Sequence, residues 1–162
     1  MKTFVVDAML GRLATWLRLV GCDTFYSTQA QDDELLTIAR EQGRVLLTSD
    51  AELVQRAERD GIESVLVRGT VDERVASVFS RFGIDPVADP SVSRCTKCNG
   101  ELTQVSGEDK VRVKGLVFEQ TYNHYDRFWI CEYCKSVFFE GGQWENIRKY
   151  MAHISDMMED TK

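Results

Sequence analysis

The sequence predicts an α/β fold, a parallel sheet flanked by helices and followed by a small C-terminal four-cysteine module. Three observations carry this. Short apolar runs alternate four times with helix-spaced apolar stripes over residues 3–82, the two prolines fall in one connector, and two matched Cys-x-x-Cys pairs lie beyond it. Short runs rich in β-branched residues and bounded by turn residues read as strands, and their alternation with helices reads as parallel βα units joined by right-handed crossovers.

The elements follow in order. Thr3 to Asp7 reads as a buried strand, and Leu10, Leu13, Ala14, Leu17 and Val20 form a helical stripe stopped by Gly21. Thr24 to Tyr26 is a second strand. A helix from about Asp33 to Glu41 turns Leu35, Leu36, Ile38 and Ala39 inward and ends at Gln42-Gly43. Arg44 to Thr48 is the third strand, followed by a helix carrying Leu53, Val54 and Ala57 and closed by Gly61. Ser64 to Val67 is the fourth. Thr70-Val71-Asp72-Glu73 has the form of a capping box and opens a helix with Val75, Val78, Phe79 and Phe82 on one side. Pro86 and Pro90 fix φ and push their predecessors out of the helical region, which marks a linker. The expected organisation is therefore an α/β domain over residues 1–85, a cysteine module over 91–155 and a polar tail over 156–162.

Cys95-x-x-Cys98 and Cys131-x-x-Cys134 stand 32 residues apart, an interval long enough for an inserted strand pair. Four thiolates on two turns suit a closed, structural tetrahedral site, zinc by preference, with iron in the same site left open. Disulfides are the competing reading, disfavoured in a reducing compartment. Cys22 reads as a small buried hydrophobe. Around the cysteines cluster Phe118, Tyr122, Tyr125, Phe128, Trp129, Tyr133, Phe138, Phe139 and Trp144. Such rings can stack on unpaired bases, but a module this small needs them first as core. His124 and His153 read as surface or partly packed residues.

Carboxylates mark the other candidate site. Two strand-like runs end at Asp7 and Asp50, and Asp32-Asp33 opens the helix between them. In an open parallel sheet, strand ends and the following helix starts share the edge where ligands bind. Gathered carboxylates repel one another unless a cation sits among them, and Mg²⁺ or Mn²⁺ favours such oxygen ligands together with substrate phosphate. The simpler role is also open, since aspartate is a favoured helix N-cap.

A hydrophobic fraction of 43% and a charged fraction of 28% are those of a globular protein, and a formal charge of -6 argues against nonspecific coating of nucleic acid. No apolar run is long enough for a membrane span and the N-terminus lacks a secretory pattern, so a cytoplasmic protein without membrane contact is expected. Gly11 stands alone rather than in a Gly-rich phosphate loop, which weakens a nucleotide-binding reading.

The residues Phe4-x-x-Asp7-x-Met9-Leu10-Gly11-x-Leu13-Ala14-x-Trp16-Leu17-Arg18-x-x-Gly21, Asp32-x-x-Leu35-Leu36 and Gly43-Arg44-Val45-Leu46-Leu47-Thr48-x-Asp50 resemble the mut-seven C-terminal RNase domain family. So do Arg94-Cys95-x-x-Cys98-Asn99 and Phe128-x-x-Cys131-x-x-Cys134-Lys135, reaching Gly141-x-x-Trp144. The pattern departs where Gly-Ser-His-Trp is expected and Gly141-Gly142-Gln143-Trp144 stands. The resemblance implies a PIN-like nuclease domain fused to a zinc ribbon, with RNA as substrate.

The expected chemistry is metal-assisted hydrolysis of RNA at Asp7, Asp50 and Asp32 or Asp33, with Mg²⁺ or Mn²⁺ held by Asp7 and Asp50. The resemblance leads one to expect a fourth acid, for which Glu52 and Asp72 are the candidates. Arg12 and Arg18 are the expected phosphate contacts, with Arg44 and Arg68 behind them. The alternative is a noncatalytic RNA- or protein-binding module that retains the fold. A protein partner or a homodimer is compatible with either.

Overall fold

The computed structural model describes residues 1–160. Its first unit is a three-layer sandwich. Strands β1 (Phe4–Val6), β2 (Thr24–Tyr26), β3 (Val45–Thr48) and β4 (Ser64–Leu66) form a sheet in the order β2-β1-β3-β4. Every neighbouring pair is parallel, with Phe4 opposite both Thr24 and Val45. Side chains alternate across the sheet. Phe4, Val6, Val45 and Leu47 face a core shared with helices α1 (Gly11–Leu19) and α4 (Val71–Phe82). Val5 and Leu46 face α2 (Asp32–Gln42) and α3 (Ala51–Arg59). Burial on both faces is why these strands read as unbroken apolar runs.

Strand order follows from the helix positions. The path β1-α1-β2 runs one way along the sheet, while β2-α2-β3-α3-β4 runs back, and uniform crossover handedness then puts α1 on one face and α2 and α3 on the other. Direction reverses between β1 and β3, whose carboxyl ends carry Asp7 and the Thr48-to-Asp50 turn. Local chemistry ends the helices as expected. Gly43 stops α2 at φ 65°, and the Thr70 hydroxyl with the Glu73 carboxylate closes a reciprocal cap on α4.

The second unit is an antiparallel sheet of β5 (Leu102–Ser106), β6 (Arg127–Cys131) and β7 (Val137–Phe138). A 3-10 segment over Gly107–Val113 and α5 (Glu119–His124) fill the inserted stretch. Val105, Val113, Phe128 and Ile130 form its core, flanked by Tyr122, Tyr125 and Phe139. Most of the aromatic concentration is therefore packing, as expected, while Phe118 and Tyr133 remain 86% and 79% exposed.

Helix α6 (Gly142–Asp160) returns to the first unit. Trp144, Met151 and Ile154 are buried in the core that also contains Phe4, Leu17, Val78 and Phe79, and Tyr150 stacks on Trp16 at 4.0 Å. Residues 156–160, expected as the start of a polar tail, continue this helix, and Met157 and Met158 pack against the same core. The rest of that expected tail, residues 161–162, lies outside the described residues. No described helix is long and apolar enough to cross a membrane.

Candidate active site and metal centre

Asp7 follows β1 and caps a short 3-10 turn, Ala8–Leu10, its Oδ1 accepting the Met9 N–H at 3.4 Å. The Tyr26 hydroxyl from β2 donates to the Ala8 carbonyl at 2.7 Å and fixes that turn from the side. Gly11 makes room for it, since a Cβ would stand 2.7 Å from the tyrosine oxygen and push the ring aside. Across the reversal point, Thr48 is fully buried. Its hydroxyl donates to Asp7 Oδ2 at 2.8 Å and accepts the Asp50 N–H at 3.1 Å. One side chain thus ties the two strand-end aspartates into a single hydrogen-bonded unit. Asp50 caps α3, its Oδ1 accepting from Glu52 N at 2.9 Å and Leu53 N at 3.4 Å. The Thr-x-Asp spacing at the end of β3 was the available signal for Thr48.

The other acids stand apart from this pair. Asp32 and Asp33 lie in the first turn of α2, whose N-cap is Gln31, so neither is the cap. Asp33 pairs with Arg56 from α3. Glu52 is exposed in the first turn of α3. Asp72 is taken up by α6, accepting from the Tyr150 hydroxyl at 2.7 Å and lying 3.3 Å from His153 Nε2. Burial, then Asp72, raises the Tyr150 phenol above its usual range.

Two expected phosphate contacts are placed elsewhere. Arg18 is 5% exposed, and its guanidinium donates to the Thr24 carbonyl at 3.1 Å and the Thr96 carbonyl at 3.0 Å. Burial lowers its pKa, but the two carbonyls satisfy it and no phosphate can approach. Arg44 sits at the amino edge of the sheet, bonded to Asp23 and to the carbonyls of Phe4 and Asp23. Arg18 reaches the second unit directly, and Arg44 does so through Asp23, where Asn99 accepts from Thr24 N at 3.0 Å and donates to Asp23 at 2.7 Å. Burial works against the Asp23 charge, yet the Arg44 and Asn99 hydrogen bonds outweigh it and hold this carboxyl below the usual carboxylate range. Arg12 and Arg68 are exposed at the carboxyl edge.

The four cysteines converge. Cys95 and Cys134 Sγ are 3.5 Å apart, Cys98 and Cys131 Sγ 3.4 Å, and all four lie within 4.8 Å of one another. A tetrahedron with Zn–S bonds of about 2.3 Å has S···S edges of about 3.8 Å, within that spread. The two turns have the same build. Asn99 N donates to the Cys95 carbonyl and Lys135 N to the Cys131 carbonyl, each at 2.8 or 2.9 Å. Asn99 and Lys135 adopt φ 72° and 64°, and the Cys95 and Cys131 amides then donate to the carbonyls of Gly100 and Ser136 on the returning strand. Gly100 leaves the sulfurs room, for a Cβ would stand 2.8 Å from Cys131 Sγ. Burial pushes the Cys95 thiol up to about 12, so binding a cation must displace its proton. All five cysteines are free of disulfides, and burial raises the Cys22 thiol to about 11, consistent with an inert core residue. Among the described residues, this is the one group of three or more His, Cys, Asp or Glu residues brought close enough to hold a metal. The aspartates at the carboxyl edge do not converge to that degree.

Comparison with curated proteins and with solved structures returned no match. The family comparison is decisive instead, spanning both strand-end aspartates and both cysteine turns. With residues 2–151 matched by the family model, the chain belongs to the Mut7-C RNAse domain family.

Proposed function

We propose that this chain is a metal-dependent ribonuclease that hydrolyses RNA phosphodiester bonds at the carboxyl edge of its parallel sheet. The supporting observation is the Thr48 hydroxyl bridging Asp7 Oδ2 and the Asp50 amide at the point where strand direction reverses. Both amide bonds to the Asp50 carboxylate fall on Oδ1, leaving Oδ2 for a hard cation. Two carboxylates plus phosphate and water suffice for Mg²⁺ or Mn²⁺. Such an ion supplies a water of lowered pKa and neutralises charge on the leaving oxygen. Thr48 holds the Asp7 carboxylate in one rotamer, and the α3 amides hold Asp50. Asp32, and Asp33 once released from Arg56, complete the acidic edge, and Arg12 meets phosphate from the first turn of α1. The cysteine cluster holds zinc as a structural staple, a role suited to the reducing cytoplasm, where we place the protein.

A noncatalytic RNA- or protein-binding module is the second reading, favoured by the Arg56 ion pair on Asp33 and by the spread of the aspartates. A second copy of the chain or another protein is then the natural partner. Cleavage of a labelled single-stranded RNA panel with Mg²⁺ or Mn²⁺ decides between them, comparing wild type with Asp7→Asn and Asp50→Asn. Loss of cleavage in both folded variants is expected. Activity unchanged by both, or none in the wild type, moves the assignment to the binding module.

A further inference from the structure

We infer that Arg12 and Arg74 form a phosphate cradle beside Asp7, which holds the phosphodiester next to the one being cut; this rests on the ribonuclease reading above. The two arginines stand in the first turns of α1 and α4 and line one cleft of about 310 Å³ with Met9, Leu10 and Val71. Met9, whose amide bonds Asp7, is 79% exposed at the rim and offers apolar surface to a sugar or base. Arg74 Nε is buried there with no hydrogen-bond partner. An unsatisfied buried N–H is costly, and a phosphate on the terminal nitrogens of the same guanidinium is the compensation the cleft allows.

Charge arithmetic points the same way. Acidic residues outnumber basic ones by 26 to 20, and seven other arginines each meet a carboxylate. Among the described residues neither Arg12 nor Arg74 forms an ion pair, although both share the cleft and repel each other. The two acids beside Arg74 in the chain are engaged elsewhere, Glu73 in the cap with Thr70 and Asp72 with Tyr150 and His153. Two helix N-termini add positive potential at the same place. The occupant that satisfies two guanidinium forks and two helix ends is a phosphate. Its distance from Asp7, one short turn, makes it a neighbouring phosphate of the strand rather than the scissile one.

The test compares Arg74→Met, Arg74→Lys and a control at the far end of α4, Arg81→Met, on two substrates. One is a ten-nucleotide single-stranded RNA; the other is a dinucleoside monophosphate, whose sole phosphate is the scissile one. Arg74→Met is expected to raise KM on the longer RNA roughly tenfold or more with little change in kcat, and to leave the short substrate unaffected. Arg74→Lys falls between, and Arg81→Met stays near wild type. No effect on the longer RNA, or equal loss on both substrates, overturns the cradle while leaving the ribonuclease intact. If the wild type does not cleave, binding of the same decamer in chelator is read against salt. A slope reduced by about 0.7 in Arg74→Met keeps the cradle and removes the hydrolase, and an unchanged slope overturns the cradle.

Discussion

At the amino edge of the parallel sheet, Asp23 is surrounded by Arg44, Arg94 and Asn99, and Arg18 is sealed between two carbonyls. At the carboxyl edge, Asp7 and Asp50 are held by one hydroxyl and by backbone amides, and among the described residues neither forms an ion pair. The same sheet thus presents charge neutralised within the fold at one end and, at the other, carboxylates without ion pairs, where the proposed function puts a ligand. The amino edge joins the two units. Among the described residues, the acids expected at the carboxyl edge meet basic partners only away from Asp7 and Asp50, Asp33 at Arg56 and Asp72 at His153. On the proposed function, stability and chemistry belong to opposite ends of the strands, which makes them separable by mutation.

The largest effect that sharpens this contrast is expected from the cysteine cluster. Stripping metal with a strong chelator, or Cys131→Ser, removes a staple whose binding energy is about 10–16 kcal/mol in comparable sites. The β5-β6-β7 unit should lose ordered packing around Phe128 and Trp129. Unaltered side-chain NMR signals from those rings after chelation would show that this unit needs no metal. Arg18→Met is next, since it orphans two carbonyls at the joint. A loss of about 2–4 kcal/mol in denaturant unfolding is expected, and a loss below 0.5 kcal/mol would deny the amino edge its structural role.

Asp23→Asn is expected to cost about 1–2 kcal/mol at neutral pH, reduced because the side chain is 31% exposed. Its pH dependence has a definite sign. The folded carboxyl is depressed, so its contribution is complete above the unfolded value of about 3.9 and is lost as pH falls through the folded one. Wild type and variant should therefore converge in stability in acid; a gap that persists at low pH would break the argument. The smallest stability effect belongs to Asp50→Asn. Asparagine caps a helix about as well as aspartate, so thermal unfolding should move by less than about 0.5 kcal/mol while RNA cleavage is abolished. A large stability loss there would erase the distinction between the two edges.

The four βα units, the capping box and the cysteine pairs were legible in the sequence because each rests on local spacing. Strand limits differ by a residue at most sites: Arg44, read as strand, precedes β3 and serves the joint instead. The connection of Asp23 to Asn99 spans 76 positions and leaves no local trace. Arg18 has a faint one, standing four residues beyond Ala14 at the margin of the buried stripe. Helix α6 was more visible than the tail reading allowed, for Trp144, Ile147, Met151, Ile154 and Met158 recur at alternating intervals of three and four. At the carboxyl edge, strand-end position identified Asp7 and Asp50, whereas the commitments of Asp33 and Asp72 depend on helices brought together only in the fold.

The return of α6 to the first core has a consequence for synthesis. Trp144, Met151 and Ile154 leave the ribosome roughly 60 residues after α4, an interval of about 3–12 s at ordinary elongation rates. Until then the face built by Phe4, Leu17 and Phe79 lacks its outer cover, so the acidic edge is assembled on an incomplete scaffold. Emergence of α6, after the cysteine turns, is what closes it.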